Sequence, residues 1–184
     1  MTDFTQAETL SLAQLKDLVV DIEVAVGGSP AGRMTAELWP EAAPETVRNF
    51  VRYAAEGFYD GRGFHRVIQN FMIQGGCPEG TGTGSGPRGN IPGEFSRDSS
   101  RSHKRGVLSM ARSADPNSAS CQFFICHGDA AFLDGQYASF GQLIDGDDAL
   151  DAVAGVTTGG GGENSTPLEK CEITKMSVRP RSEA

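Results

Sequence analysis

The run CQFFIC (121–126) constrains the fold more than any other segment, because a strand alternates its side chains between two faces and here both faces are apolar. Phe123 and Ile125 point one way, while Gln122, Phe124 and Cys126 point the other. FMIQG (71–75) repeats the arrangement, with Phe71 and Ile73 opposed to Met72 and Gln74. A sheet that turns one side to water keeps its apolar residues on the other. Strands of the present kind suit the wall of a closed antiparallel barrel, which fills its interior with one set. The second set is apolar with a few placed amides, the composition of a recognition groove. Helices packed over that set are the competing explanation.

The other short apolar runs agree with a barrel. VVDIEVAV (19–26) and RMTAELW (33–39) alternate on either side of the turn GGSPAG (27–32), which predicts a β-hairpin. FHRVI (64–68), GVLSMA (106–111), SFGQLI (139–144) and KCEITKMSV (170–178) read as further strands, giving seven or eight in all. Val47, Phe50, Val51 and Ala54 recur at helical spacing, with Pro44 in the first turn and Gly57 as a stop, so a helix is predicted from about 44 to 56. DDALDAVAG (147–155) predicts a second, shorter one. The expected fold is mainly β: a closed eight-stranded antiparallel β-barrel capped by two α-helices, one domain over 19–180. Leucines 10, 12, 15 and 18 fit neither period, so 1–18 is expected as an N-terminal extension with a short helical turn, and 181–184 as a C-terminal tail. The stretch 77–105 holds six spaced glycines and no periodicity, as functional or mobile loops do. Trp39, closing a strand, is expected in the core.

Composition excludes several functions. There are 24 glycines in 184 residues, nearly twice the usual share of about 7%, which matches many turns. A net charge of −8 repels phosphates, which argues against a nucleic-acid surface or a polybasic membrane anchor. No apolar stretch is long enough to span a bilayer, and the N-terminus lacks the pattern of a secretory signal. Four irregularly spaced cysteines read as reduced thiols in a cytoplasm. His65, His103 and His127 lack any accompanying CxxC pair, so no metal site is expected. GTGTGSG (80–86) lacks the ending of a phosphate loop, and no nucleophile elbow is present. Arg66 stands out in its strand between Phe64 and Ile68 on one face. A permanent charge on a rigid fork of donors must pair with an acid, reach solvent or face a ligand.

Three blocks, FHRVIQNFMIQGG (64–76), GVLSMARSADPNSASCQFFIC (106–126) and FLDGQYASFGQL (132–143), resemble the cyclophilin family of peptidyl-prolyl isomerases, in its bacterial branch. The resemblance extends from about Val20 to Val178. It implies rotation about X–Pro bonds without a covalent intermediate, metal or cofactor. It makes Arg66 the catalytic donor, with Gln74 and Phe124 in the catalytic set. The proline pocket is then Phe71, Met72, Phe124 and Leu133, with Gln122 flanking it, Ala111 in the adjoining subsite, and Phe132 and Tyr137 as further substrate contacts. Phe132 stands where the common eukaryotic pattern has tryptophan, Tyr137 where it has histidine, and Arg112-Ser113 where it has Asn-Ala. Loss of the indole N–H donor implies only weak binding of cyclosporin. The implied partners are proline-containing peptides and partly folded proteins, met by a monomer in the cytoplasm. A proline-peptide binding module or chaperone with little turnover is the alternative. A small-molecule barrel of lipocalin type is disfavoured by the two helices and the outer groove.

Overall fold

The computed structural model describes residues 3–161 and 163–183. Ahead of the first strand lie a 3-10 helix (Phe4–Thr9) and helix α1 (Leu12–Lys16), the latter opened by a capping box between Ser11 and Gln14. Two different helices meeting at Leu10–Ser11 explain why the leucine spacing follows no single period. Strands β1 (Leu18–Val26) and β2 (Ser29–Leu38) are joined by Gly27 and Gly28 alone, at φ of 58° and 83°. Two successive left-handed residues give the twist a hairpin needs, and glycine adopts them without steric cost. The turn is therefore tighter than the expected 27–32, and Ser29 to Gly32 already pair with β1 across a register shift.

Helix α2 (Pro44–Ala55) follows, with Pro44 in its first turn. Its N-cap, Ala43, has no side-chain acceptor; Glu94 from the long loop fills that role, accepting from the backbone N–H groups of Glu45 and Thr46 at 3.0 and 2.8 Å. The segment preceding β1 packs on α2: Arg48 donates to the Leu10 carbonyl at 2.9 Å, and Ala7, Leu10 and Leu15 are buried. Next come β3 (Phe64–Ile68), β4 (Met72–Gly75), β5 (Val107–Met110), β6 (Phe123–Cys126), β7 (Ser139–Asp145), helix α3 (Asp147–Ala154), a two-residue pair β8 (Thr158–Gly159) and β9 (Thr166–Pro167), and β10 (Cys171–Pro180). Among the described residues no helix is long and apolar enough to cross a membrane.

Eight strands form one antiparallel sheet in the order β10-β1-β2-β7-β5-β6-β4-β3. It curls into a half-barrel, which corrects the expectation of full closure. Among the described residues the edges meet where Gly61 N–H donates to Ile173 O at 2.7 Å, Ile173 N–H donates to Arg62 O at 2.8 Å, and Gly63 bridges Glu172. Strand β3, at one edge, has five residues and a register shift against β4 between Phe64 and Arg66. A bulge there twists the strand, and the ladder with β4 resumes beyond it.

The two faces of the wall carry two separate apolar clusters. The inner one holds Phe50, Tyr53, Tyr59, Phe64, Phe123, Ile125 and Phe140, with Phe50 centred 4.9 Å from Phe140 and 5.1 Å from Phe123. Helix α2 adds Val47, Val51 and Ala54 to it, and α3 adds Leu150 and Val153. The outer one is Trp39, Met72, Val107, Phe124, Cys126, Ala130 and Leu133. Both main helices thus seal the inner cluster. They do not cover the outer face, and the explanation that helices pack over the second set is overturned.

Candidate active site

Strand register builds the site. Arg66 pairs with Gln74 across β3 and β4, Gln74 pairs with Phe124 across β4 and β6, and Phe124 pairs with Ser109 across β6 and β5. Residues directly opposite one another share a face. One row across four strands therefore presents a guanidinium, an amide and an aromatic ring side by side on the outer wall.

Around this row lies a slot of about 170 Å³ lined by Arg66, Phe71, Met72, Gln74, Ala111, Arg112, Phe124, Leu133 and Tyr137. An adjoining depression of about 500 Å³ shares Gln74, Ala111 and Arg112 and adds Gln122, Gly82, Gly84 and several hydroxyl side chains. Of the residues expected from the sequence, Gln122 belongs to the second depression. Phe132 stands on the rim, 67% exposed, its ring 5.7 Å from that of Phe71. Arg112 was noted in the sequence only as a departure from the family pattern, yet it forms the wall between both depressions. Its guanidinium donates to Gln136 O at 2.7 Å and lies 4.7 Å over the Tyr137 ring.

A chain of amides holds the guanidinium of Arg66. Its Nη1 donates to Gln74 Oε1 at 3.3 Å, Gln74 Nε2 donates to Gln122 Oε1 at 3.2 Å, and Gln122 Nε2 donates to the carbonyls of Gly82 and Gly84 at 2.9 and 2.8 Å. Each amide flip is settled by its neighbour. On the other side, Arg66 Nε donates to Glu163 Oε2 at 2.7 Å. The sequence could not reveal Glu163: it lies 97 residues away, in a glycine-rich connection with no strand period.

The loop 77–105 supports the end of this chain and is itself tied down. Gly82 and Gly84 N–H donate to Cys77 Sγ at 3.2 and 3.3 Å, Arg62 donates to Pro78 O at 3.1 Å, and Ile91 bridges Ala119. Burial raises the Cys77 thiol, but the backbone donors of Gly84, Gly82, Thr81 and Glu79 together bring it below its ordinary value. Burial pushes Cys121 up to about 11, Cys126 to about 12 and Cys171 to about 11. All four thiols are free and buried.

Beneath Phe124 runs a second polar chain. His103 stacks 6.1 Å from the Phe124 ring at 19°, its Nδ1 lies 2.7 Å from Asp134 Oδ1, and its Nε2 lies 2.8 Å from Ser109 Oγ. Burial lowers the His103 pKa although Asp134 pulls it upward, so the ring is neutral, donating to Asp134 and accepting from Ser109. The order Asp-His-Ser resembles a hydrolase triad, but Ser109 and His103 are buried and no substrate reaches the hydroxyl. Their geometry supports the floor of the slot. Among the described residues no group of three or more His, Cys, Asp or Glu has the geometry to hold a metal ion.

The fold and site are thus an antiparallel half-barrel whose outer wall carries an apolar slot, with a braced guanidinium at its lip. Comparison with known proteins identifies the class. The family model of cyclophilin type peptidyl-prolyl cis-trans isomerases matches residues 19–178. A peptidyl-prolyl cis-trans isomerase of Synechococcus elongatus is 47% identical over 128 residues, covering 70% of this chain and 84% of the relative. Peptidyl-prolyl cis-trans isomerase B of Bacillus subtilis is 50% identical over 110 residues, covering 60% and 75%. A cyclophilin type isomerase of Cryptosporidium parvum, solved in the presence of the dipeptide Ala-Pro, superposes with a TM-score of 0.77 at 30% identity, covering 88% of this chain and 98% of that one. The chain belongs to the cyclophilin family, and its activity is peptidyl-prolyl cis-trans isomerisation.

Proposed function

We propose that the slot formed by Phe71, Met72, Phe124 and Leu133 holds the pyrrolidine ring of a substrate proline while Arg66 donates to the twisting amide. The peptide bond resists rotation because the nitrogen lone pair is delocalised into the carbonyl, with a barrier of about 18–20 kcal/mol. X–Pro bonds populate both isomers and interconvert unaided over roughly tens to hundreds of seconds. In the twisted state that lone pair becomes an acceptor, and a guanidinium fixed beside it stabilises that state more than either planar form. Lysine offers a mobile point charge instead of a fixed fork. The observation that carries this reading is the placement of Arg66 at the lip of an apolar slot, anchored through Gln74 and Gln122. Gln74 and Phe124 then complete the catalytic set: the amide orients the guanidinium, and the ring packs against the proline. Ala111, Gln122, Phe132 and Tyr137 contact the flanking peptide, whose neighbouring residue has room in the adjoining depression. The scheme transfers no proton, so the rate is expected to be flat around neutral pH.

The clients are X–Pro segments exposed in partly folded proteins, bound by a monomer. Four unpaired thiols suit a reducing compartment such as a cytoplasm. Phe132 presents no N–H donor on the rim, which fits weak cyclosporin binding.

The test is the cis-to-trans rate of a short Xaa-Pro peptide with wild type and Arg66→Ala. Removing one oriented donor of this kind costs about 3 kcal/mol, so a fall on the order of 100-fold in kcat/KM is expected at unchanged thermal stability. Equal acceleration by both proteins removes Arg66 from the mechanism. Peptide binding without acceleration turns the site into a binding module.

A further inference from the structure

The small β8–β9 hairpin lies beside β3. Gly160, Gly161 and Asn164 at its tip adopt positive φ, and the Ser165 carbonyl accepts from Val67 N–H at 2.8 Å. That bond fixes the tip next to the residue following Arg66, which brings Glu163 onto Arg66. The two acceptors on the guanidinium are complementary. Glu163 takes Nε at 2.7 Å and Gln74 takes Nη1 at 3.3 Å, with Met72 Sδ a weaker second acceptor of Nη1 at 3.7 Å, so two nitrogens of one rigid plane are held from two different elements. Nη2 has no acceptor among the described residues, and the side chain lines the slot.

We infer that Glu163 is a positioning residue for the isomerase reaction, its carboxylate holding Arg66 Nε so that Nη2 remains available to the substrate. The inference rests on the reading of Arg66 as the donor. Arg66 lowers the Glu163 carboxyl below its ordinary range, first by hydrogen bonding and then by charge, so the acceptor is ionised at neutral pH. Both side chains are partly exposed, and an exposed pair of this kind contributes little to stability. Its effect is on orientation. Without Glu163 a long, flexible side chain is held only through Nη1, by the longer bond to Gln74 and the weak contact with Met72 Sδ, and misplaced donors forfeit rate steeply.

The experiment uses the full chain with Glu163→Ala and Glu163→Gln, each in wild-type and Arg66→Ala backgrounds, and measures kcat and KM for an Xaa-Pro peptide. Glu163→Ala is expected to lower kcat about 5-fold with KM within about 2-fold, while Glu163→Gln, which keeps an acceptor, retains at least about half the rate. In the Arg66→Ala background, Glu163→Ala is expected to change nothing further. The Arg66 Nε–H resonance is expected to be distinct and slow to exchange in wild type and Glu163→Gln, and averaged in Glu163→Ala. An unchanged or increased kcat in Glu163→Ala overturns the inference. So does an equal loss in both backgrounds, or a Glu163→Gln protein as slow as Glu163→Ala. A wild type that binds peptide without acceleration overturns the isomerase reading itself, and the Arg66 resonance then still reports whether Glu163 holds the guanidinium.

Discussion

The inner and outer apolar clusters are built from alternate residues of the same strands, yet they differ in what closes them. Inside, six aromatic rings interlock and two helices complete the seal. Outside, the turn Ala131–Leu133 covers only part of the wall, and Phe71, Leu133 and Tyr137 are left around an open slot. The inner cluster has its partners within the chain. The outer one has polar support from below, through His103 and Ser109, and an apolar slot open above. Burial against the chain stabilises the fold; surface withheld from it is available to bind.

Neighbouring phenylalanines on β6 give the largest test of that contrast. Phe123 is fully buried among rings, so Phe123→Ala is expected to cost about 3–5 kcal/mol in urea unfolding, the range for a large-to-small change in a sealed core. Phe124 faces the slot, where water fills the space left by truncation. Phe124→Ala is expected to cost about half as much, while kcat/KM falls by at least about 10-fold through loss of the proline contact. Equal destabilisation by both variants, with activity lost in proportion to folded protein, breaks the distinction between the faces.

The polar support beneath Phe124 makes the next test, through pH. A histidine whose pKa is lowered in the folded state stays neutral there, while the unfolded chain takes up a proton below its ordinary value of about 6.5. Between the folded value and 6.5 the unfolded state binds more protons, so stability rises with pH in that window and is lost as pH falls through it. The midpoint of urea unfolding is expected to be flat above pH 7 and to decline below about 6.5. His103→Gln is expected to shorten that decline and to cost about 1–3 kcal/mol at neutral pH, by leaving Ser109 and Asp134 imperfectly paired. His65, also lowered by burial and by Arg66, leaves a residual slope. A variant with an unchanged acid limb shows that His103 is not its source.

Much of the wall was legible because alternation is a local signal. The period marked β3 over its full length, and helix α2 within one residue at its end. The two-faced character of CQFFIC predicted the division into two clusters, although β6 itself starts at Phe123. Tertiary features were less accessible. The hairpin turn shrank to two glycines because Pro30 and Gly32 are accommodated in a bulged strand. That the β3 and β10 edges meet through a few backbone bonds rather than a continuous ladder is a tertiary feature that no composition reveals. The loop 77–105 looked featureless because its order comes from side chains gripping backbone, as with Glu94 at α2 and Cys77 under Gly82 and Gly84. Arg66, Gln74 and Phe124 came from the family resemblance; strand register then explains why they share a row. Glu163 depends on a hairpin of two-residue strands, too short for any period to show.

The smallest expected effect concerns Arg112, which tests how far the open outer face selects what it holds. The linings of the two depressions contain two charged side chains, Arg66 and Arg112, and no carboxylate, in a chain whose net charge is −8. Arg112 is satisfied by the carbonyls of Gln136 and Ser113 and by the Tyr137 and Phe95 rings, so its removal exposes little buried surface. Arg112→Ala is expected to shift unfolding by no more than about 0.5 kcal/mol. Its charge nevertheless lines both depressions, which on the proposed binding mode places it beside the residue next to the proline. In a series of Xaa-Pro peptides with Xaa as Glu, Ala or Lys, wild type is expected to favour Glu over Lys in kcat/KM, and Arg112→Ala to reduce that preference about 2- to 5-fold. Because the site is open to solvent, raising the salt from 0.01 to 1 M, which shortens the screening length from about 30 to 3 Å, is expected to erase the preference in wild type as the substitution does. A preference that survives both changes arises from the shape of the groove rather than its charge, and the outer face then discriminates by packing, as the inner one does.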